Sequence, residues 1–372
     1  MFDTPYNTIR SPGKLGIALA AVAVLAAAAV VVHRKAAQAE ADNPPEGSFI
    51  EVDGVRLHYV ERGSGEPIVL LHGNGSMIQD FTLSGVMDAL AQQHRVIAFD
   101  RPGFGYTSRP AGQIWDQEAQ AKLLKSAFDQ LGIKRPVLVG HSWGTMVATA
   151  FALAYPQSVA RLVLMSGYYF PTPRLDVPVM SIPAIPVIGT VMRHTLSPLI
   201  SRLLWPLIRK QLFAPAKVSA SFLKWPVWMT LRPSQLRASA AETAMMIPGA
   251  IQMSERYGEL TMPVTVLAGD GDKIVNTVVQ SARLHEVLPQ STLQVVAGAG
   301  HMVHHIDSEA AIAAILGNAP LATPALAASA NLGQPSPAAS SSILPARAAN
   351  APLADDNKFR DDRPIVPSNR PA

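Results

Sequence analysis

The 372-residue sequence contains no cysteine. That excludes disulfide staples, a thiolate nucleophile and every zinc site built on Cys ligands. Charge is sparse too: Asp, Glu, Lys and Arg make up 16% of the chain and leave a formal net charge of +4. There is no long Lys/Arg run with interleaved aromatics, so the electrostatic footprint of a nucleic-acid-binding protein is missing and no nucleic-acid partner is expected. No internal repeat is apparent, which argues against a solenoid or propeller. What remains is a globular composition, 48% hydrophobic, on a chain long enough to bury a sizeable core.

One long hydrophobic run is present. Leu15 to Val32 is uncharged and spans roughly 27 Å as a helix, just short of the ~30 Å hydrocarbon thickness of a bilayer. Arg10 and Lys14 precede it, and His33-Arg34-Lys35 follow. Ala37-Gln38-Ala39 resembles a signal-peptide cleavage site, but a basic cluster between that site and the apolar run disfavours cleavage. The expectation is an N-terminal segment at 1–14, an uncleaved transmembrane anchor at 15–32 and a linker at 33–48. Basic residues nearly balance across the run, and the orientation expected is a cytoplasmic N-terminus with the body on the non-cytoplasmic side. At the other end, 318–372 is rich in Ala, Pro and Ser without periodicity and reads as a disordered tail.

Between anchor and tail, strand and helix signals alternate. Two runs joined at Asp53-Gly54 predict a hairpin. IVLLHG, RVIAFD, PVLVGH and RLVLMSG are short apolar runs of the kind buried on both faces of a parallel sheet, with helical stretches around Phe81–Gln92, Asp116–Leu131 and Thr145–Tyr155. After Gly167 the rhythm breaks for about 95 residues that are apolar, proline-punctuated and hold three of the five tryptophans, Trp205, Trp225 and Trp228. VTVLAGD, a helix over Val278–Leu288, STLQVVAG and a last helix from Asp307 then resume it. The pattern predicts an α/β fold: a doubly wound, mostly parallel sheet at 49–167 and 263–317, with an inserted helical cap at 168–262.

The chemistry-bearing stretch is Gly140-His141-Ser142-Trp143-Gly144, set between a buried strand and an alanine-rich helix. A sharp strand–turn–helix junction strains the residue at its tip and needs small residues two positions to either side, which Gly140 and Gly144 supply. Ser142 is then presented above a helix N-terminus, where an anionic intermediate is favoured. A serine hydroxyl needs a base, and His301 follows the small residues Gly298-Ala299-Gly300 directly after a strand. His304 and His305 are alternatives; with His301 they have the spacing of a metal site on a helix, though no Glu-rich partner accompanies them. His58, His94 and His285 lie in strand or helix contexts that suit structural or surface roles. Asp270 and Asp272, at a strand's C-terminal end, both qualify as the acid that steadies the imidazole, with Asp272 favoured for its longer reach. His72-Gly73-Asn74-Gly75 follows an early strand, and the backbone amides of Asn74 and Trp143 are the candidate oxyanion donors.

Together these residues resemble the α/β-hydrolase superfamily, serine-nucleophile branch, over about Phe49 to Gly317. The features that carry the resemblance are the HGNG loop, the turn Asp100-Arg101-Pro102-Gly103-Phe104-Gly105, the elbow GHSWG, the acid loop GDGD and GAGH. The spacing of Gly269 to Asp272 matches the family's acid, and Asp100 carries over as a structural turn residue only. Relatives that make an alkyl–enzyme ester, the haloalkane dehalogenases and epoxide hydrolases, have aspartate where this chain has Ser142. The resemblance implies a serine esterase-like enzyme acting on an apolar small-molecule substrate, needing no cofactor or metal. His72, Tyr168 and Tyr169 are candidate substrate contacts, the two tyrosines alternatively being cap packing. C–C bond cleavage, peptide cleavage or perhydrolysis by the same triad, and a non-catalytic membrane-tethered binding module, stay open as alternatives. The cap tryptophans are candidates to touch lipid.

Overall fold

The computed structural model describes residues 13–318. Apart from Asn318, the tail expected at 318–372 lies outside the described residues, as does most of the N-terminal segment.

The chain opens with a 29-residue helix, α1 (Lys14–Asp42). It continues ten residues past Val32, so most of the stretch expected as a linker is helical. Seven of the ten residues from His33 to Asp42 are Ala, Gln, Glu or Lys, good helix formers, and no Gly or Pro stops the helix before Pro44. The hairpin follows as β1 (Ser48–Val52) and β2 (Val55–Arg62), paired antiparallel with Val52 opposite Val55. Asp53 (φ +49°) and Gly54 (φ +77°) form the tight turn between them, the left-handed pair a two-residue hairpin requires.

β3 (Pro67–Leu71) leads to two short helices, α2 (Gln79–Ser84) and α3 (Val86–Leu90), where one was expected; Gly85 at φ +79° breaks them. β4 (Arg95–Phe99), α4 (Gln117–Leu131), β5 (Val137–His141), α5 (Trp143–Ala154) and β6 (Arg161–Met165) continue the alternation. Asp116 caps α4, its carboxylate accepting from Ala119 N–H.

The insertion is helical: α6 (Asp176–Ser181), α7 (Ile188–His194), α8 (Leu196–Phe213), α9 (Val227–Thr230) and α10 (Pro233–Ser254). The core resumes with β7 (Val264–Gly269), α11 (Arg283–Val287), β8 (Ser291–Val296), α12 (Val303–Ile306) and α13 (Ser308–Leu316).

Among the described residues eight strands form one sheet in the order β1-β2-β4-β3-β5-β6-β7-β8, parallel from β4 onward. Both faces are covered. Val69, Leu71, Leu138 and Leu162 pack toward α4 and α5, while Ile68, Leu70, Val139 and Val163 face α2, α3 and α13. That period-two split is why these strands read as unbroken apolar runs in the sequence. The strand order reverses beside β3 and β5, where an open α/β sheet places its site. Within the cap, Trp225 is buried with its indole N–H donated to Thr230 Oγ1 (2.8 Å), and Trp205 stacks on Phe222. These tryptophans build the cap's own core.

Candidate active site

β5 ends at His141, α5 begins at Trp143, and Ser142 is the junction, at φ +51° and ψ −120°. A non-glycine residue held there costs on the order of 1–3 kcal/mol, which the surroundings must over-determine. They do so at both glycines. A Cβ at 140 would lie 2.6 Å from Gly144 O, and one at 144 would lie 2.2 Å from Leu71 O. Ser142 N–H donates to Met165 O (2.9 Å), tying the elbow to β6.

His301 sits on the loop after β8, and its ring lies between two partners. Nδ1 is 2.8 Å from Asp272 Oδ2 and Nε2 is 2.9 Å from Ser142 Oγ. With Asp272 accepting the Nδ1 proton, Nε2 is left to accept from the hydroxyl. Asp272 is fixed from its other oxygen, which accepts from the amides of Ile274 (2.8 Å) and Val275 (3.0 Å). Burial works against its ionisation, but the His301 charge, that hydrogen bond and the two amides outweigh it and hold the carboxyl below its ordinary range. Asp270 is exposed and accepts instead from Gly298 N–H (2.8 Å), bracing the loop that carries His301. Of the two carboxylates, the one at 272 meets the imidazole.

His304 and His305 turn away from the serine, so the three histidines do not share a ligand face. Both approach Asp80, a buried carboxylate in the first turn of α2. Asp80 Oδ2 is 2.8 Å from His141 Nδ1 and Oδ1 is 3.0 Å from His304 Nε2. His141 Nε2 is in turn 3.2 Å from the carbonyl oxygen of His301. Both partners of His141 are acceptors, so both ring nitrogens carry protons. Burial alone would lower the pKa of His141, yet Asp80 outweighs it and raises it; Asp80 itself is held well below its ordinary value. His304, buried and beside that cation, is pushed down to about 3 and is neutral. The ligand atoms of Asp80, His141 and His304 lie within 4.8 Å of one another, and each Asp80 oxygen is engaged by an imidazole at hydrogen-bond distance.

Gly73 brings the loop after β3 against the nucleophile: a Cβ there would lie 3.0 Å from Ser142 Cβ. Asn74 follows it, its side chain donating to Ser239 O (3.1 Å) and Thr243 Oγ1 (3.0 Å) on α10. Trp143 is the first residue of α5, so its N–H is one of the four that lack an intrahelical acceptor. Arg101 holds this loop. It donates to His72 O (2.8 Å) and Gly73 O (2.9 Å), and it clasps Glu242 of α10 through both terminal guanidinium nitrogens, entirely buried. Glu242 reads in the sequence as one of four scattered cap acids; the fold makes it the cap's clamp on the core. Breaking such a buried pair typically costs ~3–5 kcal/mol.

Three candidate contacts need correction. His72 is fully buried: Nδ1–H donates to Gly73 O (2.8 Å) and Nε2 accepts from Arg101 N–H (3.0 Å). Burial and Arg101 push its pKa down to about 3, so it is a neutral brace inside the loop, with no nitrogen left for substrate. Tyr168 is buried and its hydroxyl accepts from Thr172 N–H (2.8 Å). Tyr169 is buried in the core under Tyr257, whose hydroxyl donates to Tyr169 O (2.6 Å). The tyrosines take the packing alternative because the chain leaves β6 inward before rising into the cap. The expected structural histidines fit: His58 donates to Asp100 Oδ2 (2.6 Å), and His285 lies 2.8 Å from Ser291 Oγ. Sequence reasoning missed Asp80, His141 as a charged group, and Arg101. The adjacency of His141 to Ser142 and of Arg101 to Asp100 was the only available signal.

The model of the alpha/beta hydrolase fold family matches residues 66–308, and the chain belongs to that family. A cis-3-alkyl-4-alkyloxetan-2-one decarboxylase of Shewanella oneidensis is 32% identical over 133 residues, 35% of this chain and 41% of that protein. A 2-hydroxy-6-oxononadienedioate/2-hydroxy-6-oxononatrienedioate hydrolase of Paraburkholderia phymatum is 39% identical over 140 residues, 37% of this chain and 47% of that protein. The chain thus spans under half the length of these relatives. Among solved structures, an esterase from Thermogutta terrifontis superposes with a TM-score of 0.60 at 23% identity, covering 73% of this chain and 97% of that one. At that identity the likeness is one of fold.

Proposed function

We propose that this α/β-fold hydrolase is a serine esterase acting on an apolar small-molecule ester. One observation carries the reading: the His301 ring spans Ser142 Oγ and Asp272 Oδ2 at hydrogen-bond distance on both sides. His301 Nε2 takes the hydroxyl proton as Ser142 attacks the ester carbonyl, and the oxygen that gains charge is held by the amides of Asn74 and Trp143. The tetrahedral species collapses, the alcohol leaves with the proton from His301, and an acyl-serine remains. Water, deprotonated by the same nitrogen, attacks that ester; the acid departs and the serine proton returns. Asp272 keeps the tautomer and stabilises the imidazolium in both halves. Each oxyanion donor contributes about 2.7–4 kcal/mol where such donors have been removed.

The second reading is C–C bond hydrolysis with the same groups, favoured by the name of the Paraburkholderia relative. A fluorophosphonate probe tests the nucleophile: wild type should label and Ser142→Ala should not, and persistent labelling of that variant would end the assignment. Separating the two readings takes a panel of p-nitrophenyl esters of rising chain length beside a vinylogous 1,5-diketone. Turnover of the diketone alone would favour C–C cleavage.

A further inference from the structure

Twenty-six large apolar side chains stand exposed among the described residues, and they are not spread evenly: 7 lie on α1 and 13 between Leu175 and Ile208 of the cap. On α8 they form a single stripe, Leu196, Ile200, Leu203, Leu204, Leu207 and Ile208, with the spacing of one helix face. Leu203 is 78% exposed and Leu207 66%. A soluble surface rarely leaves so continuous a patch uncovered.

Three further observations say what covers it. First, α1 is long and apolar enough to cross a membrane, and it is not separate from this patch. Within the apolar run of α1 the residues that turn inward are Leu25, Ala28, Ala29 and Val32, all in its second half, with Ala36 and Ala39 continuing that face beyond it, and the helix packs on α7, α8 and α9. Leu25 and Val32 are about 10 Å apart along the axis. With α1 in a bilayer, the cap helices beside it lie at a depth that apolar segments of α1 also occupy. Second, the cap's charge has one sign. From Val177 to Ala241 there is no Asp or Glu, against 8 Lys and Arg residues, with Arg202 and Lys210 exposed on α8 itself. An apolar stripe bordered by cations fits a leaflet containing anionic headgroups. Third, α8 ends on the catalytic loops. Its Leu212 carbonyl accepts from Met302 N–H (3.3 Å), and a Cβ on Gly300 would strike Phe213 O and Ala214 O, at 2.7 and 2.5 Å.

We propose that the apolar face of α8, with α6 and α7 beside it, is seated in the bilayer leaflet that α1 enters, so that the cap is an interfacial element as well as a lid. The face is aliphatic, since the cap tryptophans are spent on its own core. This rests on α1 lying in a membrane; it does not depend on which bond Ser142 attacks.

The sequence contains no cysteine, so single cysteines can be introduced and labelled without removing any. The full-length protein is reconstituted into phosphatidylcholine/phosphatidylglycerol vesicles as Leu19→Cys (α1), Leu203→Cys, Leu207→Cys, or Val287→Cys (α11, in the core). Each carries an environment-sensitive NBD group, and quenching by doxyl-labelled lipid is read. The expected result is quenching at 203 and 207 approaching that at 19 and at least about threefold that at 287. Quenching at 19 with 203 and 207 no higher than 287 overturns the proposal and leaves the anchor intact. No quenching at 19 removes anchor and proposal together. Blue-shifted emission at 203 and 207 without lipid quenching means that protein, such as a second copy, covers the face, and this also overturns it. Hydrolysis is not measured, so none of these outcomes bears on the ester reading.

Discussion

Two carboxylate–imidazole pairs flank Ser142, and each sets a carboxylate oxygen 2.8 Å from a histidine Nδ1. At His301 the far nitrogen meets a hydroxyl that both gives and accepts protons, so the ring can cycle between neutral and charged forms. At His141 the far nitrogen meets a backbone carbonyl, which accepts only, so the charged form, with a proton on each nitrogen, is the one the site favours. The pair alone therefore does not make a general base; the group at the other end of the imidazole decides. The second pair positions: by holding the carbonyl of His301, it fixes the backbone from which the reactive ring projects. A neutral His304 on the remaining Asp80 oxygen completes the shell.

The sharpest way to break this comparison is at the carboxylates. Asp272→Asn leaves the shape but offers His301 the wrong partner, and kcat should fall about 10⁴-fold. Asp270→Asn, two residues away and exposed, should change it by about twofold at most. Initial rates on one p-nitrophenyl ester check both, and comparable losses would mean that the acid is not confined to Asp272.

That distinction was partly legible before any coordinates. Gly140 and Gly144 announced the elbow because backbone lies where their Cβ atoms would be, and the apolar runs announced buried parallel strands. Asp272 was favoured over Asp270 by spacing and reach. What could not be read were contacts between residues far apart in the chain and ordinary in themselves. Asp80 looks like any acid in a first helical turn, and only the packing of α12 against α2 brings His304 to it. Arg101 and Glu242 find each other across 141 positions. His72 reads as accessible in the sequence because it lies in a glycine-rich loop, whereas the loop folds its ring inward against Arg101. The stripe on α8 is obscured in the sequence by Pro198 and Pro206, which interrupt the helical pattern, and by the nearby tryptophans, whose aromatic rings are the more familiar mark of a lipid contact.

A smaller effect on rate, and a larger one on stability, should come from the positioning pair. Asp80→Asn strips the buried His141 cation of its counter-charge, which should cost ~3–5 kcal/mol of unfolding free energy. Well below the unfolding transition, kcat should fall by less than about tenfold, since the pair touches no reacting atom. Urea titration gives the first quantity and steady-state kinetics at low denaturant the second. A 10⁴-fold loss of kcat in a folded variant would put Asp80 on a level with Asp272 and dissolve the contrast.

The subtlest expectation concerns pH. His141 is raised above its ordinary 6.5 in the folded protein, so its contribution is complete below that value and is lost as pH rises through the raised value. Asp80 is depressed below its ordinary 3.8, so its contribution is complete above that value and is lost as pH falls through the depressed one. The stability advantage of wild type over Asp80→Asn should therefore be greatest between about pH 4 and 6.5 and shrink on the alkaline side, with a slope of up to ~1.4 kcal/mol per pH unit for one proton. Urea midpoints of the two proteins at about pH 5, 7 and 9 measure it. Because the carbonyl of His301 is one of the two acceptors that hold the His141 protons, loss of the His141 charge also loosens the base. The ratio of wild-type to Asp80→Asn activity should follow the stability difference downward over the same range. A difference in midpoint that stays flat from pH 5 to 9 would mean that His141 carries no extra proton in the folded protein, and the contrast between the two pairs would fall.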